Sequence, residues 1–310
     1  MSLPLILITC RQMQVELPRH RDRIEKLGYE VLAPDLAGRQ QFTSADLLAY
    51  GERLVGIIAG DDELDRTFFD GVPRLKTVIR WGIGMDSVDR EAAHEHGVTV
   101  RNTPGVFGHE VADSAFGYIL CLVRGYITVD AAVRRGEWPK VEGVTLAGAQ
   151  LGIIGFGVIG REIAKRAKGF DMDVVAYDPF ADAAQAEVPI VRLDKLLTTS
   201  RFIVLACPLT PQTHHLINAD RLALVRPASY LVNVARGPVV VESDLVEALK
   251  AGRLAGAALD VFEVEPLPLD SELRTLPNVV LGAHNGSNTR EGVVRASNVA
   301  VDLLVEELTR

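Results

Sequence analysis

The chain has 310 residues, of which 48% are hydrophobic and 24% are charged, and its formal net charge is −8 with a pI near 5.5. This length is about twice that of a typical domain and predicts two hydrophobic cores. Because no surplus of basic residues exists to neutralise phosphates, the composition argues against nucleic acid and anionic membranes as partners. The apolar run at 3–8 is too short for a secretory signal and no stretch reaches the length of a transmembrane helix, so we expect a cytoplasmic protein.

Short apolar runs alternate with charged segments of helical pattern in the first third of the chain. The runs lie at 5–8, 31–33, 55–59, 77–79 and 98–100. Buried strands separated by helices are typical of a parallel sheet, so we predict a first α/β domain here. A long, mostly apolar segment at 110–135 is predicted to be one extended helix that bridges two domains. The last segment, 289–308, is helical in pattern and is expected to pass back over the first domain.

A glycine-rich joint opens the second half of the chain. The apolar run at 151–154 is followed by Gly155, Gly157 and Gly160, then by apolar residues at helical spacing and a second run at 174–177. This strand–turn–helix with G-x-G-x-x-G spacing is typical of dinucleotide sites. We expect Gly155 to form the tight turn, Gly157 to admit the diphosphate, and Gly160 to allow close packing of helix and strand. Further runs at 190–191, 202–206, 230–234, 255–259 and 279–281 predict a second doubly wound sheet.

Asp178 ends the strand after the glycine turn, about 20 residues beyond it, where an acidic side chain accepts hydrogen bonds from ribose hydroxyls. Pro179 and Phe180 follow, and no arginine or lysine stands beside Asp178 to hold a 2′-phosphate. The hypothesis is therefore NAD in preference to NADP. A simple strand-end turn is the alternative explanation of this aspartate.

Metal and disulfide sites are not expected. Cys10, Cys121 and Cys207 are far apart and form no C-x-x-C pair, which indicates reduced thiols. The histidine pairs at 94/96 and 214/215 lack the spacing and the cysteine partners of a metal site.

Three later segments place titratable residues after apolar strands: Arg236, then Asp260 with Glu265, then His284. Each has an ordinary structural explanation, such as a surface pair, a solvated acidic loop or a structural histidine. Together they fit hydride transfer to a 2-keto acid, which needs a cation for the carboxylate, a proton donor for the developing alkoxide, and a carboxylate that keeps the donor protonated and oriented. The planar fork of arginine suits two-point binding of a carboxylate.

These residues lie in motifs that resemble the D-isomer-specific 2-hydroxyacid dehydrogenases, the family of D-3-phosphoglycerate, glycerate and D-lactate dehydrogenases. The motifs are WGIGMDSVD at 81–89, NTPG at 102–105, GFGVIG at 155–160, CPLTPQT at 207–213, VNVARG at 232–237, ALDVFEVEP at 258–266 and the terminal His284. The resemblance covers nearly the whole chain. It implies an α/β fold of two doubly wound parallel-sheet domains around a cleft: a flavodoxin-like substrate domain, 1–101 with 287–310, and a Rossmann NAD-binding domain, 102–286.

The resemblance also implies roles for individual residues. Arg236, Glu265 and His284 are the catalytic set, Asp260 lies near the nicotinamide carboxamide, and Cys207 is a wall of the cofactor site and no nucleophile. Substrate binding is implied for Trp81, for the backbone N–H groups around Ile83 and Gly84, for Asn102 and for Arg236. Cofactor contacts are implied for Gly155, Phe156, Gly157, Val158, Ile159, Gly160, Asp178, Pro179, Cys207, Pro208, Thr213, Val234, Ala235, Asp260 and His284. A homodimer through the dinucleotide domain is implied, and, since no residues follow Arg310, a regulatory domain is not expected.

Several positions depart from the family pattern and bear on the substrate. Ala283 and Asn285 flank His284 where proline and a small or apolar residue are usual, and Trp81 stands where a small residue is common. Asp61 and Asp62 occupy a region that leads into a phosphate-binding arginine in phosphoglycerate dehydrogenases, and we expect them to repel phosphate. Arg80 does match a basic position of that subfamily, so a phosphorylated substrate is disfavoured and not excluded.

Two alternatives stay open at this point. Formate dehydrogenases of this fold carry glutamine in place of Glu265, which argues against formate, whereas no residue here excludes phosphite. The other alternative is an NAD(H)-sensing binding protein of the same fold, which would need a partner groove or tails beyond the enzymatic core.

Overall fold

The computed structural model describes residues 3–310, which form two compact units. The first contains the chain up to Phe107 together with Asn288–Arg310, and the second is Gly108–Ser287. Each unit is built on its own parallel sheet with helices on its faces. The predicted α/β class with two parallel-sheet domains is confirmed.

The first unit has a five-stranded sheet in the order β2-β1-β3-β4-β5, with every pairing parallel. This 2-1-3-4-5 order is that of a flavodoxin-like sheet. Its strands are β1 Leu5–Ile8, β2 Glu30–Leu32, β3 Leu54–Ala59, β4 Thr77–Arg80 and β5 Thr99–Asn102. Its helices are α1 Arg11–Glu16, α2 Arg21–Glu25, α3 Ser44–Leu48, α4 Arg66–Asp70, α5 Arg90–Glu95 and the C-terminal helix, α12 in chain order, Arg290–Thr309, with a 3-10 turn at Leu17–Arg19.

Burial explains why these apolar runs are strands. Every residue of β1, β3 and β4 is buried, as expected for parallel strands covered on both faces. Three of the short helices, α3, α4 and α5, begin at side-chain caps: Thr43, Asp65 and Asp89 each accept a hydrogen bond from a backbone N–H of the following turn. The α12 helix packs on β3, β4 and α1, so the last segment covers the first sheet as predicted.

The second unit has a six-stranded sheet in the order β11-β10-β9-β8-β6-β7, again with every pairing parallel. Its strands are β6 Gln150–Ile154, β7 Asp173–Tyr177, β8 Phe202–Leu205, β9 Tyr230–Asn233, β10 Gly256–Leu259 and β11 Val279–Leu281. Its helices are α6 Gly108–Arg124, α7 Tyr126–Arg134, α8 Val158–Gly169, α9 Leu193–Thr199, α10 Ala219–Leu224 and α11 Glu242–Lys250, with 3-10 turns at Gly237–Val239 and Glu272–Thr275.

The predicted strand at 190–191 is wrong in extent. Ile190 makes only a single parallel bridge to Ala176 of β7, and no strand forms there. The bridge lies at the outer edge of β7, where the third strand of a Rossmann sheet pairs, so the segment marks that strand's place without completing it. Proline at 189 has no N–H to donate, which limits the ladder at this edge.

The long helix predicted at 110–135 is also corrected. It is two helices, α6 and α7, and both belong to the second unit. The chain bends by 63° between them, at Gly125, whose φ of +59° is a left-handed conformation that glycine adopts without cost. Within residues 3–310 no single helix is long and apolar enough to cross a membrane; only α6 and α7 taken together would be, and the bend separates them.

Candidate active site

The glycine turn between β6 and α8 has the geometry that a dinucleotide site requires. Gly155 has a φ of +96°, and a Cβ there would lie 2.5 Å from the backbone nitrogen of Cys207, so only glycine fits the turn. A Cβ at Gly160 would lie 2.2 Å from the carbonyl oxygen of Gly155, which explains the close packing of α8 on the turn. Both features agree with the roles expected from the sequence.

Gly157 differs from its two neighbours in the motif. It is the N-cap of α8, and a Cβ built there would meet no protein atom within 4 Å. Open space therefore lies in front of the first turn of a twelve-residue helix, whose unpaired N–H groups and partial positive charge favour a diphosphate. These residues fit an NAD diphosphate, since no side chain of the turn fills the approach at Gly157.

Asp178 connects the end of β7 to the glycine turn. Its Oδ2 accepts a hydrogen bond from the backbone nitrogen of Phe156 at 2.8 Å, and its Oδ1 accepts from the backbone nitrogen of Phe180 at 2.9 Å. The carboxylate therefore shapes the turn, and each oxygen retains acceptor capacity for a ribose hydroxyl. The strand-end turn that the sequence left as an alternative exists beside any cofactor role.

The loop after β8 lies against the glycine turn, which brings Cys207 beside Gly155. Burial raises the pKa of the Cys207 thiol to about 11, so the thiol is protonated at neutral pH and is a poor nucleophile. The hydroxyl of Thr213 donates to the carbonyl oxygen of Pro208 at 2.6 Å and accepts from the nitrogen of Thr210 at 2.8 Å. Thr213 thus folds its own loop, a use of this side chain that the sequence did not indicate.

Arg236, Asp260 and His284 follow three neighbouring strands, β9, β10 and β11, of the second sheet. Because the strands are parallel, the residues after their carboxyl ends share one edge of the sheet, where ligands bind in such folds. The structure therefore brings together the three segments that sequence reasoning singled out separately. Val234 and Ala235, also expected at the cofactor, lie buried in the turn between β9 and Arg236.

Glu265 and His284 form a hydrogen-bonded pair at this edge. The Nδ1 of His284 lies 2.8 Å from Oε2 of Glu265, and both side chains are about one quarter exposed. The other carboxylate oxygen, Oε1, accepts a hydrogen bond from the backbone nitrogen of Phe262 at 3.0 Å. The glutamate is thereby held by its own loop while it orients the imidazole ring.

The turn that carries Arg236 packs directly on the loop that carries Glu265. A Cβ at Gly237 would lie 1.8 Å from the carbonyl carbon of Phe262, so glycine is required for this contact. Asn233 braces the turn from inside: its Nδ2 donates to the carbonyl oxygen of Arg236 at 2.9 Å and its Oδ1 accepts from the nitrogen of Ala235 at 3.0 Å. The guanidinium of Arg236 donates to the carbonyl oxygen of Ala235 at 3.0 Å.

Asp260 holds the backbone around His284. The carbonyl oxygen of Asp260 accepts from the nitrogen of His284 at 2.6 Å, and its carboxylate accepts from the nitrogens of Asn285 and Gly286 at 3.1 and 2.8 Å. The hydroxyl of Tyr118, on α6, donates to Oδ1 of the same carboxylate at 2.6 Å. Sequence reasoning missed Tyr118, because nothing in the pattern of α6 tells which strand end its hydroxyl reaches.

In a second histidine–glutamate pair, the glutamate lies on the same loop as Glu265. The Nε2 of His215 lies 3.0 Å from Oε1 of Glu263, and the nitrogen of Glu263 donates to Glu242 at 3.3 Å. Burial raises the pKa of the Glu242 carboxyl.

No group of three or more metal-ligating side chains occurs in the described part of the chain, 3–310.

Trp81 has a different environment from the one expected of a substrate-binding residue. Its ring is 5% exposed and packs against Phe107, and its Nε1 donates to the hydroxyl of Ser297 on α12 at 3.1 Å. A buried indole with its polar atom paired offers little surface for stacking on a substrate. The structure therefore assigns Trp81 to the attachment of α12 to the first sheet.

The loop at Ile83 and Gly84 is held in shape by the residues that follow β5. The Nδ2 of Asn102 donates to the carbonyl oxygen of Ile83 at 2.8 Å, and the hydroxyl oxygen of Thr103 accepts from the nitrogen of Gly82 at 2.9 Å. Ile83 is 38% exposed. Thr103 is a further residue that the sequence did not single out, although it adjoins Asn102.

The two aspartates after β3 have separate roles, which corrects the expectation that both repel phosphate. Asp62 is 1% exposed and turned inward, where it accepts hydrogen bonds from Thr9 and from the nitrogens of Phe42 and Gly60. Asp61 instead forms an ion pair with Arg80, whose guanidinium also donates to the carbonyl oxygen of Trp81. Arg80 is thus buried and its charge is compensated within the first unit.

The chain is similar in sequence to known dehydrogenases. Residues 116–286 match the model of the D-isomer specific 2-hydroxyacid dehydrogenase family, NAD binding domain. The chain is 43% identical over 243 residues to a glyoxylate reductase of Thermococcus litoralis, covering 74% of this chain and 73% of the relative. It is 35% identical over 303 residues to a D-3-phosphoglycerate dehydrogenase of Methanocaldococcus jannaschii, covering 94% of this chain and 56% of the relative.

Among solved structures, the TT0316 protein from Thermus thermophilus is similar over 98% of this chain and 97% of its own, with 36% identity and a TM-score of 0.88. The glycine turn and the Glu265–His284 pair both lie within residues 116–286, the part of the chain that matches the family model. The chain therefore belongs to the D-isomer specific 2-hydroxyacid dehydrogenases, NAD-dependent oxidoreductases that transfer a hydride between nicotinamide and a small 2-keto or D-2-hydroxy acid.

Proposed function

We propose that this enzyme uses NADH to reduce a small, unphosphorylated 2-keto acid, with Arg236 binding the carboxylate, His284 donating the proton and Glu265 maintaining the protonated imidazole. The observation that carries the proposal is the 2.8 Å contact between Nδ1 of His284 and Glu265, at the same sheet edge as Arg236. When a carboxylate binds one ring nitrogen of a histidine, it orients the imidazole so that the other ring nitrogen can donate or accept a proton.

The chemistry divides between the cofactor and the protein. When bound, NADH supplies the hydride that reduces the keto carbon. The guanidinium of Arg236 binds the substrate carboxylate through two parallel hydrogen bonds, which fixes the keto group in orientation. Because Glu265 engages Nδ1 of His284, we assign Nε2 to the keto oxygen, where it donates a proton to the developing alkoxide.

The ion pair of Asp61 with Arg80 supports an unphosphorylated substrate. Arg80 is the basic residue that matches the phosphoglycerate subfamily, and its guanidinium is engaged by Asp61 and by the carbonyl oxygen of Trp81. A phosphate would have to displace a carboxylate from a buried arginine, which costs desolvation of both groups. The higher identity to a glyoxylate reductase than to a D-3-phosphoglycerate dehydrogenase supports the same assignment.

We further propose NAD over NADP, a homodimer and a cytoplasmic location. Asp178 at the end of β7 would repel a 2′-phosphate, and no basic residue adjoins it. Exposed apolar side chains on and after α7, with Tyr126 at 50%, Ile127 at 55% and Trp138 at 76%, support a surface covered by a second copy. Substrate contacts by Ile83, Gly84 and Asn102 also stay predictions.

The test is NADH oxidation by the purified enzyme against glyoxylate, hydroxypyruvate, pyruvate, phosphohydroxypyruvate and a larger 2-keto acid, repeated with NADPH. We expect turnover of at least one unphosphorylated acid with NADH, and a lower kcat/KM for phosphohydroxypyruvate. Preference for phosphohydroxypyruvate would contradict the assigned substrate class. Tight NADH binding without turnover of any keto acid would favour the NAD(H)-sensing alternative.

A further inference from the structure

The backbone of His284 is strained and needs support. Its φ is +50°, a left-handed conformation that is unfavourable for a non-glycine residue and persists only where neighbours enforce it. Glu265 fixes the imidazole ring but not the backbone. The direction in which the ring leaves the chain is therefore determined by whatever holds residues 284–286.

Asp260 provides that support. Three successive backbone nitrogens, those of His284, Asn285 and Gly286, donate to its carbonyl oxygen or its carboxylate at 2.6, 3.1 and 2.8 Å. The side chain is 3% exposed, so water does not compete for these hydrogen bonds. An ionised carboxylate accepts about four hydrogen bonds, and two backbone donors leave room for others.

Tyr118 supplies a further hydrogen-bond donor to the Asp260 carboxylate, from outside the loop of residues 284–286. Its hydroxyl lies 2.6 Å from Oδ1 of Asp260, which also accepts from Asn285. Burial, together with the hydrogen bond from Tyr118 to Asp260 and the negative charge of Asp260, raises the pKa of the Tyr118 phenol, so the hydroxyl is protonated at neutral pH and donates. Tyr118 lies on α6, which packs on β9, β10 and β11, so the contact ties the carboxylate to the sheet's covering helix.

The space around this contact is closely packed. A Cβ at Gly282 would lie 2.1 Å from the Tyr118 hydroxyl and 2.5 Å from Oδ1 of Asp260. The chain at the end of β11 therefore passes directly over the tyrosine–aspartate hydrogen bond, just before it reaches His284. Any shift of the hydroxyl or of Oδ1 is transmitted to the backbone on which the imidazole stands.

We propose that Tyr118 is a positioning residue for proton transfer: its hydroxyl fixes the Asp260 carboxylate, which holds the backbone of residues 284–286 and so aims the imidazole of His284. The inference rests on the proposed function, because it takes His284 as the proton donor. Tyr118 itself touches no reacting atom in this assignment and acts only through Asp260.

The central test is Tyr118→Phe, which removes one oxygen and keeps the ring. We expect kcat for keto-acid reduction to fall between about threefold and thirtyfold, because small misplacements of a catalytic group are costly. KM for the keto acid and Kd for NADH should change less than about twofold. The kinetic isotope effect with NADH deuterated at the transferred position should rise, since the chemical step becomes more rate-limiting. A purely structural role would leave that isotope effect unchanged.

Three further variants make the result specific. Tyr29→Phe, which removes the hydroxyl of a partly exposed tyrosine just before β2 in the first unit, is the matched control and should behave as wild type. Gly282→Ala, which pushes the tyrosine and the aspartate apart, should reproduce the loss of kcat. In an Asp260→Asn background, Tyr118→Phe should have less than about a twofold further effect, because the two act in one chain.

The outcomes separate the two proposals. If His284→Ala abolishes turnover while Tyr118→Phe retains wild-type kcat and isotope effect, the positioning role is overturned and the proposed function stands. If His284→Ala retains turnover, the assigned proton donor is wrong and the inference fails with it. A full, additive effect of Tyr118→Phe in the Asp260→Asn background would also overturn the role, since the tyrosine would then act by another route.

Discussion

Glu265 contacts two parts of the site at once: its Oε2 lies 2.8 Å from Nδ1 of His284, and its Oε1 accepts the backbone nitrogen of Phe262 at 3.0 Å. The second contact keeps the carboxylate from rotating away from the ring. The negative charge near the imidazole stabilises its protonated form, which is the form that donates the proton in the proposed reduction.

Replacement of Glu265 by Gln should shift the pH dependence of the reaction. Reduction needs the imidazolium, so its rate should begin to fall at a lower pH in the variant, because the charged ring loses its carboxylate partner. Oxidation of the hydroxy acid needs the neutral ring, and its rising limb should move in the same direction, towards acid. The measurement is kcat/KM in both directions from about pH 5 to pH 10.

Glu263→Gln is the matched control for this change. Glu263 lies in the same loop but pairs with His215, so its loss should leave both profiles in place. Profiles of Glu265→Gln that coincide with wild type in both directions would reject the pairing of Glu265 with the proton donor.

Arg236→Lys tests how the substrate carboxylate is bound. Lysine keeps the positive charge but loses the planar fork that makes two parallel hydrogen bonds, so kcat/KM should fall between about tenfold and a thousandfold. Arg226→Lys, an exposed position just before β9, should stay within experimental error of wild type. An unaltered kcat/KM in Arg236→Lys would place the carboxylate on another group.

Alanine substitutions at the motif glycines should distinguish residues needed for NADH binding from residues needed for stability. Gly157 has an extended backbone that alanine also adopts, and no protein atom lies within 4 Å of the added Cβ. Gly157→Ala should therefore preserve the melting temperature and weaken NADH binding at least about tenfold, because the Cβ occupies the approach of the diphosphate. Gly160→Ala should lower the melting temperature itself, since its Cβ meets the carbonyl oxygen of Gly155.

Gly169→Ala, at the other end of α8, also meets nothing within 4 Å and is the control for both. Fluorescence titration with NADH and thermal unfolding give the two quantities. NADH affinity in Gly157→Ala equal to that in Gly169→Ala would show that the diphosphate does not approach this turn.

Sequence periodicity predicted most of the fold because parallel strands are apolar along their whole length. The runs that became β1, β3, β6, β8 and β11 were recognisable without any partner in view. The prediction from periodicity failed where contacts with other segments, or the conformation of a single residue, determine the secondary structure. The 190–191 run has the composition of a strand but forms one bridge, and the helix at 110–135 breaks at Gly125, whose left-handed backbone no periodicity reveals.

The candidate site likewise contains residues that the sequence predicts and residues that only the structure reveals. Arg236, Asp260 and His284 were recognisable because each follows an apolar strand, and parallel strands end at one edge. Tyr118 reaches that edge from a helix over 140 residues earlier in the chain, so only the packing of α6 on the sheet discloses it. The motif around Trp81 predicts a substrate contact, whereas the burial of Trp81 and its hydrogen bond to Ser297 depend on α12, at the far end of the chain.

The ion pair of Asp61 with Arg80 yields a prediction about stability. Arg80 has a side chain 6% exposed, and its Nε has no hydrogen-bond partner among residues 3–310, so the guanidinium depends on Asp61 and the carbonyl oxygen of Trp81. Asp61→Asn leaves a buried cation without its counter-charge. Because Asp61 is 38% exposed, solvent offsets part of the cost, and we expect a loss of about 1–3 kcal/mol in the free energy of unfolding.

Glu95→Gln is the matched comparison, because it breaks an arginine–carboxylate pair, with Arg66, in which both side chains are about half exposed. Its cost should be smaller than that of Asp61→Asn, because solvent screens an exposed pair. Urea unfolding of the two variants and wild type measures the difference. Equal free energies for Asp61→Asn and Glu95→Gln would mean that Asp61 does not compensate the charge of Arg80, and Arg80 would then be available to a phosphorylated substrate.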